Sequence, residues 1–239
     1  MSPSAKVLLE LRGVHKSFRM GELTVEVLRG VDLEVYAGEI AVVLGYSGSG
    51  KTTLLNIMGA LDRPSAGTVL FEGWDLGLLD EGALAEHRRQ NLGFVFQLYN
   101  LIPTLTAAEN VAVATEGVEG GPMDPREALG LVGLAERGDS FPAQLSGGEQ
   151  QRVAIARAIA RKPELLLCDE VTGALDSTTG RLVLETLVRL NERIGSTIVM
   201  ITHARPIAAL ADRVLRIDSG RIVEVRANER RAAVAEVDW

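Results

Sequence analysis

Ile40-Ala41-Val42-Val43-Leu44-Gly45-Tyr46-Ser47-Gly48-Ser49-Gly50-Lys51-Thr52-Thr53 is the stretch on which the fold turns. Its first five residues are wholly apolar, which predicts a parallel strand buried on both faces. The next eight, Gly45 to Thr52, fit G-x-x-x-x-G-K-[ST], and a helical pattern from Lys51 to Gly59 follows. The motif therefore stands in the strand, loop, helix context that its chemistry requires. Glycines allow backbone N–H groups to converge on phosphate oxygens, and the helix start adds its positive dipole end. Lys51 is placed to reach β- and γ-phosphates, and the Thr52 hydroxyl to coordinate Mg²⁺. The chain has only four lysines beside 21 arginines, so a lysine at this point is informative. The competing reading is a glycine-rich turn that happens to precede a helix.

Outward from this stretch, the same alternation continues. Leu165 to Cys168 and Thr197 to Ile201 are again apolar runs suited to buried parallel strands, whereas Lys6 to Leu11 and Val25 to Val35 alternate in polarity as half-exposed antiparallel strands do. Helical patterns cover Asp80 to Gln90, Glu149 to Arg161 and Thr179 to Arg193. Strands alternating with helices predict an α/β fold with crossover connections. Between about Leu98 and Arg161 no buried strand is evident. Two helical patterns and a Gly/Pro-rich connector, Glu116 to Pro125, predict a helical insertion there. Residues 1–225 are expected to form the domain, and 226–239, ending in Trp239, a mobile or helical tail.

Composition narrows the class. With 239 residues, 46% hydrophobic and 24% charged, the chain suits a globular domain rather than a disordered or fibrous one. A net charge of -7 argues against a surface built to hold nucleic acid. The single cysteine, Cys168, excludes an internal disulfide and reads as a small core side chain. No apolar run approaches the roughly 20 residues that cross a bilayer, and the start carries no secretory apolar stretch. The expected location is cytoplasmic.

Leu165-Leu166-Leu167-Cys168-Asp169-Glu170 ends a buried strand on two adjacent carboxylates, which are costly there unless a cation arrives. Leu145-Ser146-Gly147-Gly148-Glu149-Gln150-Gln151-Arg152 opens a helix with a hydroxyl and bare backbone amides, a second anion site without a lysine of its own.

In order and spacing these motifs resemble those of ATP-binding-cassette (ABC) ATPases, over about Val7 to Val223. The resemblance implies a P-loop NTPase core with an N-terminal antiparallel β subdomain and a helical insertion. It implies that Gly45, Tyr46, Ser47, Gly48, Ser49, Gly50, Lys51, Thr52 and Thr53 bind ATP, with Phe18 stacking on adenine. A core aromatic on an edge strand is the other reading of Phe18. Mg²⁺ would be held by Thr52, Asp169 and Gln97, with Glu170 as general base and His203, after a core strand, contacting the γ-phosphate. Gln97, Lys51, Glu170 and His203 form the implied catalytic set. Ser146, Gly147, Gly148 and Glu149 would close over the triphosphate held by another subunit, which implies a homodimer. Asp176 resembles the loop that crosses that interface, unless it is simply a helix cap.

Two departures stand out. Tyr46 occupies a place where relatives commonly have proline, and Val171 one where proline usually follows the glutamate, so a looser turn is expected after Glu170. Leu61-Asp62-Arg63-Pro64-Ser65-Ala66-Gly67, Gly93 to Pro103 and Thr172 to Ser177 resemble the lipoprotein-release and macrolide-export branch. That likeness implies an ATPase subunit driving a separate integral-membrane permease, peripheral on the inner face of the membrane. The alternative within the family is a regulatory clamp of the cell-division type that moves no substrate. A DNA-repair cassette protein is disfavoured by the acidity and by the absence of a long coiled-coil insertion.

Overall fold

The computed structural model describes residues 6–237. Two sheets share the chain. The first is antiparallel, in the order β2-β1-β4-β5, from β1 (Val7–Met20), β2 (Leu23–Tyr36), β4 (Ala66–Phe71) and β5 (Trp74–Asp75). The second has the order β10-β9-β3-β8-β7-β6, from β3 (Ile40–Leu44), β6 (Leu92–Val95), β7 (Leu165–Asp169), β8 (Thr197–Thr202), β9 (Arg213–Asp218) and β10 (Arg221–Ala227). Within it β6, β7, β8, β3 and β9 run parallel, and β10 turns back antiparallel on β9.

Strict alternation inside the parallel strands divides the core in two. Ala41, Val43, Leu165, Leu167, Val199 and Ile201 face the antiparallel sheet and α1 (Lys51–Met58). Ile40, Val42, Leu166, Cys168, Ile198 and Met200 face the opposite side, where α5 (Gly147–Ile159) and α6 (Ser177–Ile194) pack. Cys168 is fully buried, and burial pushes its thiol far above the ordinary range, so it stays an inert core side chain.

Several boundaries differ from the sequence reading. β1 and β2 form one 14-residue ribbon each, longer than their alternating cores, because register shifts break the two-residue period along β1. Between residues 98 and 161 the chain forms α3 (Ala107–Thr115) and α4 (Pro125–Leu131) as well as α5. Pro125 ends no connector. It is the first residue of α4, where its missing N–H costs nothing, and Asp124 caps it through the N–H groups of Arg126 and Glu127. α2 (Glu81–Asn91) starts after its cap Asp80. The tail expected from 226 is held down over its described part. β10 runs through Ala227, and Val234 and Val237 are buried in the core. Trp239 lies outside the described residues.

A buried ion pair ties the two sheets together. Arg213 on β9 donates to both carboxylate oxygens of Glu39 at 2.8 and 2.9 Å, stacks over Tyr36 at 4.5 Å, and Glu39 also accepts from the Tyr36 N–H.

Candidate functional site

Four strand ends, of β3, β6, β7 and β8, and one helix start meet at the C-terminal edge of the parallel sheet. The loop after β3 reaches α1 through Gly50, whose φ of +102° only glycine adopts without strain. Lys51, nine-tenths buried at the start of α1, donates to the carbonyls of Gly45 and Tyr46, both at 2.9 Å. The loop rests on the β9–β10 turn, where Gly220 donates to the Ser49 carbonyl at 3.0 Å. Gly220 is required there: its φ is +78°, and a Cβ would meet the Val27 carbonyl oxygen at 2.1 Å. Ser49 Oγ is buried and, among the described residues, has no hydrogen-bond partner. Tyr46, Ser47, Gly48 and Thr52 are exposed, while Gly45 and Thr53 are half-buried.

β7 brings Asp169 and Glu170 to the same edge. Burial, and then the neighbouring Glu170 carboxylate, push Asp169 up from the ordinary carboxylate range, against the opposing pull of Lys51 and the Thr52 hydroxyl. Glu170 is one of the few non-glycine residues in left-handed backbone, with φ of +44°. The conformation is held from both sides, by its N–H to the Ile201 carbonyl at 3.0 Å and by its carbonyl accepting from Gly173 at 2.8 Å. Its carboxylate lies between Lys51 Nζ, 3.9 Å away, and Nδ1 of His203, 3.2 Å away. The turn after it is not loose: Leu175 donates to Thr172, and Val171 is buried at 6% exposure.

Gln97 follows β6 and is exposed, with its amide against the same turn, since a Cβ on Gly173 would lie 3.1 Å from Gln97 Nε2. Phe18 stands on β1, 41% exposed and outside the core, with the Lys16 ammonium over its ring at 5.0 Å from the centroid.

The 145–152 run is built differently from the phosphate loop. Ser146 caps α5 in a reciprocal box: its hydroxyl accepts from the Glu149 N–H, and the Glu149 carboxylate accepts from both the N–H and the hydroxyl of Ser146 at 2.9 Å. Glu149 also pairs with Arg137 at 3.2 Å, so its carboxylate is committed to shaping this turn. Gly147 packs beneath Tyr99, and Gly148 against Thr179. Asp176 caps α6 through the N–H groups of Thr178 and Thr179, the plainer of the two readings. α5 packs on α3, α4, α6 and β6, whereas α1 packs on β1, β2, β7 and β8. Lys51, Thr52, Asp169, Glu170 and His203 thus converge, with Gln97 against the turn after Glu170, while Ser146 to Glu149 and Asp176 cap two other helices, α5 and α6.

Sequence reasoning missed three parts of this region. Arg205 donates to the Tyr46 hydroxyl at 3.0 Å. The Ser219-Gly220 turn buttresses the phosphate loop, and its Ser-Gly dipeptide was a readable turn signal. Gln151, wholly buried on α5, donates to the Phe96 carbonyl at 3.3 Å and so fastens α5 to the segment that carries Gln97.

Comparison with known proteins agrees with this geometry. Residues 28–173 match the family model described as ABC transporter. The chain is 48% identical over 221 residues to the macrolide export ATP-binding/permease protein MacB of Wolinella succinogenes, covering 91% of this chain and 34% of that protein. It therefore spans about a third of the length of the curated relatives it matches. Among solved structures it resembles the ATP-binding cassette MJ0796, a dimer in a post-hydrolysis state bound to ADP and Pi. That match has a TM-score of 0.84 and 39% identity, over 92% of this chain and 98% of that one. It also resembles cbiO1 of Clostridium perfringens, part of the ABC transporter complex cbiONQ, with a TM-score of 0.82 and 25% identity, over 93% and 89%. With well over half of its length inside the family model, and a phosphate loop facing paired carboxylates across one sheet edge, the chain belongs to the ABC transporter family, as an ATPase domain.

Proposed function

We propose that this chain binds ATP with Mg²⁺, pairs head to tail with a second copy around two ATP molecules, and hydrolyses them to drive an integral-membrane permease. The observation that carries the reading is Glu170, held in left-handed backbone with its carboxylate between Lys51 and His203 beside the phosphate loop.

The donor set suits Mg²⁺. Thr52, Asp169 and the Gln97 amide offer hard oxygens, and one carboxylate with substrate phosphates is the usual way this ion is held. Among the described residues no cluster of three or more His, Cys, Asp or Glu side chains forms a protein-only cage, so the phosphates would complete the coordination. When bound, the ion neutralises charge on the β- and γ-phosphates. The chain's own residues do the rest. Backbone N–H groups of the loop and the Lys51 ammonium grip the triphosphate. Glu170 accepts a proton from the attacking water, and His203 steers that carboxylate and faces the γ-phosphate.

Packing supports the dimer. The Ser146 turn opens α5, whose main packing partners are α3, α4, α6 and β6, whereas α1 packs mainly on β1, β2, β7 and β8, and this supports a triphosphate on Lys51 being met by the Ser146 turn of another copy. Among the described residues no helix is long and apolar enough to cross a membrane. We place the chain on the cytoplasmic face of a membrane, against a permease that carries the cargo. The likeness to macrolide export proteins favours transport over a clamp without cargo.

The test is Glu170→Gln. It should keep ATP affinity, accumulate a nucleotide-dependent dimer in light scattering, and lose nearly all phosphate release. Normal turnover would remove Glu170 as the base.

A further inference from the structure

The loop that carries Lys51 and the segment that carries His203 face each other across a recess of about 390 Å³, lined by Gly45, Tyr46, His203, Arg205, Arg216 and Asp218 among others. The backbone ladder of β3 and β8 joins them as far as Leu44 and Thr202, and beyond it side chains span the gap. Tyr46 does so. Its carbonyl accepts from Lys51 Nζ at 2.9 Å, and its hydroxyl accepts from the Arg205 guanidinium at 3.0 Å. Arg205 begins the short helical turn Arg205–Leu210, two residues beyond His203. The link between them is short and stiffened, because the Ala204 N–H donates back to the Thr202 hydroxyl at 3.1 Å.

The contacts close into a circuit. From Glu170 it runs to Lys51 at 3.9 Å, from Lys51 to the Tyr46 carbonyl, from the Tyr46 hydroxyl to Arg205, and along the chain to His203. It returns from His203 to Glu170 at 3.2 Å. A proline at position 46 could make the carbonyl contact but offers no hydroxyl. The geometry points to Tyr46 and Arg205 as a positioning pair for hydrolysis, which clamps the phosphate loop to the His203 segment and so keeps Lys51, Glu170 and His203 in register. Neither side chain is assigned any contact with the reacting atoms. Tyr46 is 70% exposed, and a hydrogen bond from a charged donor at so open a site has an effect of several-fold, not of many decades.

This inference rests on the ATPase reading above, and one set of proteins separates the two. Steady-state ATPase assays compare the unaltered chain, Glu170→Gln, Tyr46→Phe, Arg205→Met, Arg205→Lys and the Tyr46→Phe/Arg205→Met double variant. Thermal melts check that each retains the fold. Tyr46→Phe and Arg205→Met should each lower kcat about threefold to tenfold, with KM for ATP changed less than about twofold. The double variant should fall no further than either single one, because both remove the same contact. Arg205→Lys, which keeps a charged donor, should recover at least half of the lost rate. Unchanged kcat in Tyr46→Phe, multiplicative losses in the double variant, or a change in KM alone would overturn the pair while leaving the ATPase reading intact. A chain without turnover, or one indifferent to Glu170→Gln, would overturn both.

Discussion

Glu170 Oε2 lies 3.2 Å from Nδ1 of His203, a contact between the end of β7 and the residue that follows β8. The two strands are parallel neighbours, so their ends deliver both side chains to one edge without any loop having to reach. His203 is 64% exposed on its side chain, and little of its burial would be lost on truncation. His203→Ala should therefore leave stability nearly unchanged and ATP affinity within about threefold, while kcat falls about 100-fold, the range seen when a charge-stabilising group is removed. Nucleotide titration and steady-state kinetics on the same preparation check this. Retention of half the wild-type rate would assign His203 a passive place.

What the sequence disclosed, and what it hid, divides by distance along the chain. The strand-loop-helix at Ile40 to Met58 was legible because its signal is local: an apolar run, glycines, a lysine and a helical period in 19 consecutive residues. The helix starts at Asp80, Ser146 and Asp176 were also marked by capping residue types, and structure shows all three accepting N–H bonds. Glu39 with Arg213, Tyr46 with Arg205 and Gln151 with Phe96 join residues 174, 159 and 55 positions apart, and no local pattern announces such pairs. The carboxylates of Glu149 and Asp176 both shape helix starts.

The Glu39 and Arg213 pair carries a stability prediction. Both side chains are about nine-tenths buried, and Arg213 forms two hydrogen bonds to one carboxylate. Glu39→Leu alone strands a buried guanidinium and should cost about 3–5 kcal/mol, whereas replacing both residues by leucine should cost far less, because the desolvation penalty goes with the charges. Urea unfolding of the single and double variants measures it. Equal losses in the two would place the stability in packing around Tyr36 rather than in the pair.

Glu149 supplies a pH dependence. The Ser146 N–H, and also the Ser146 hydroxyl, Arg137 and Arg152, hold its carboxyl below the ordinary range against a smaller effect of burial. A depressed folded value means that its contribution is complete above the unfolded carboxylate value of about 4.3, and is lost as pH falls through the lower folded one. Wild type should exceed Glu149→Gln in stability at pH 7 by about 1 kcal/mol, and the gap should close as pH falls below the unfolded carboxylate value and through the lower folded one. Denaturant midpoints across that range decide it. A gap that widened on acidification would reverse the assignment.

The separation of the Ser146 turn from the Lys51 loop within one chain leads to a prediction about mixtures. α5 and α1 differ in their main packing partners, so a Ser146→Arg chain and a Lys51→Ala chain are defective in different halves of the proposed composite site. Each alone forms dimers in which both sites are broken. In an equal mixture about half of the dimers are mixed, and each mixed dimer has one site with both defects and one with none, so about a quarter of all sites are intact. Phosphate release from the mixture should therefore rise well above that of either variant, toward about a quarter of wild type where single sites act independently. Far-UV circular dichroism of Ser146→Arg checks that α5 survives loss of its cap, a change that costs about 1 kcal/mol. A mixture no more active than its components would mean that Lys51 and Ser146 serve the same nucleotide within one chain, or that Ser146 serves none.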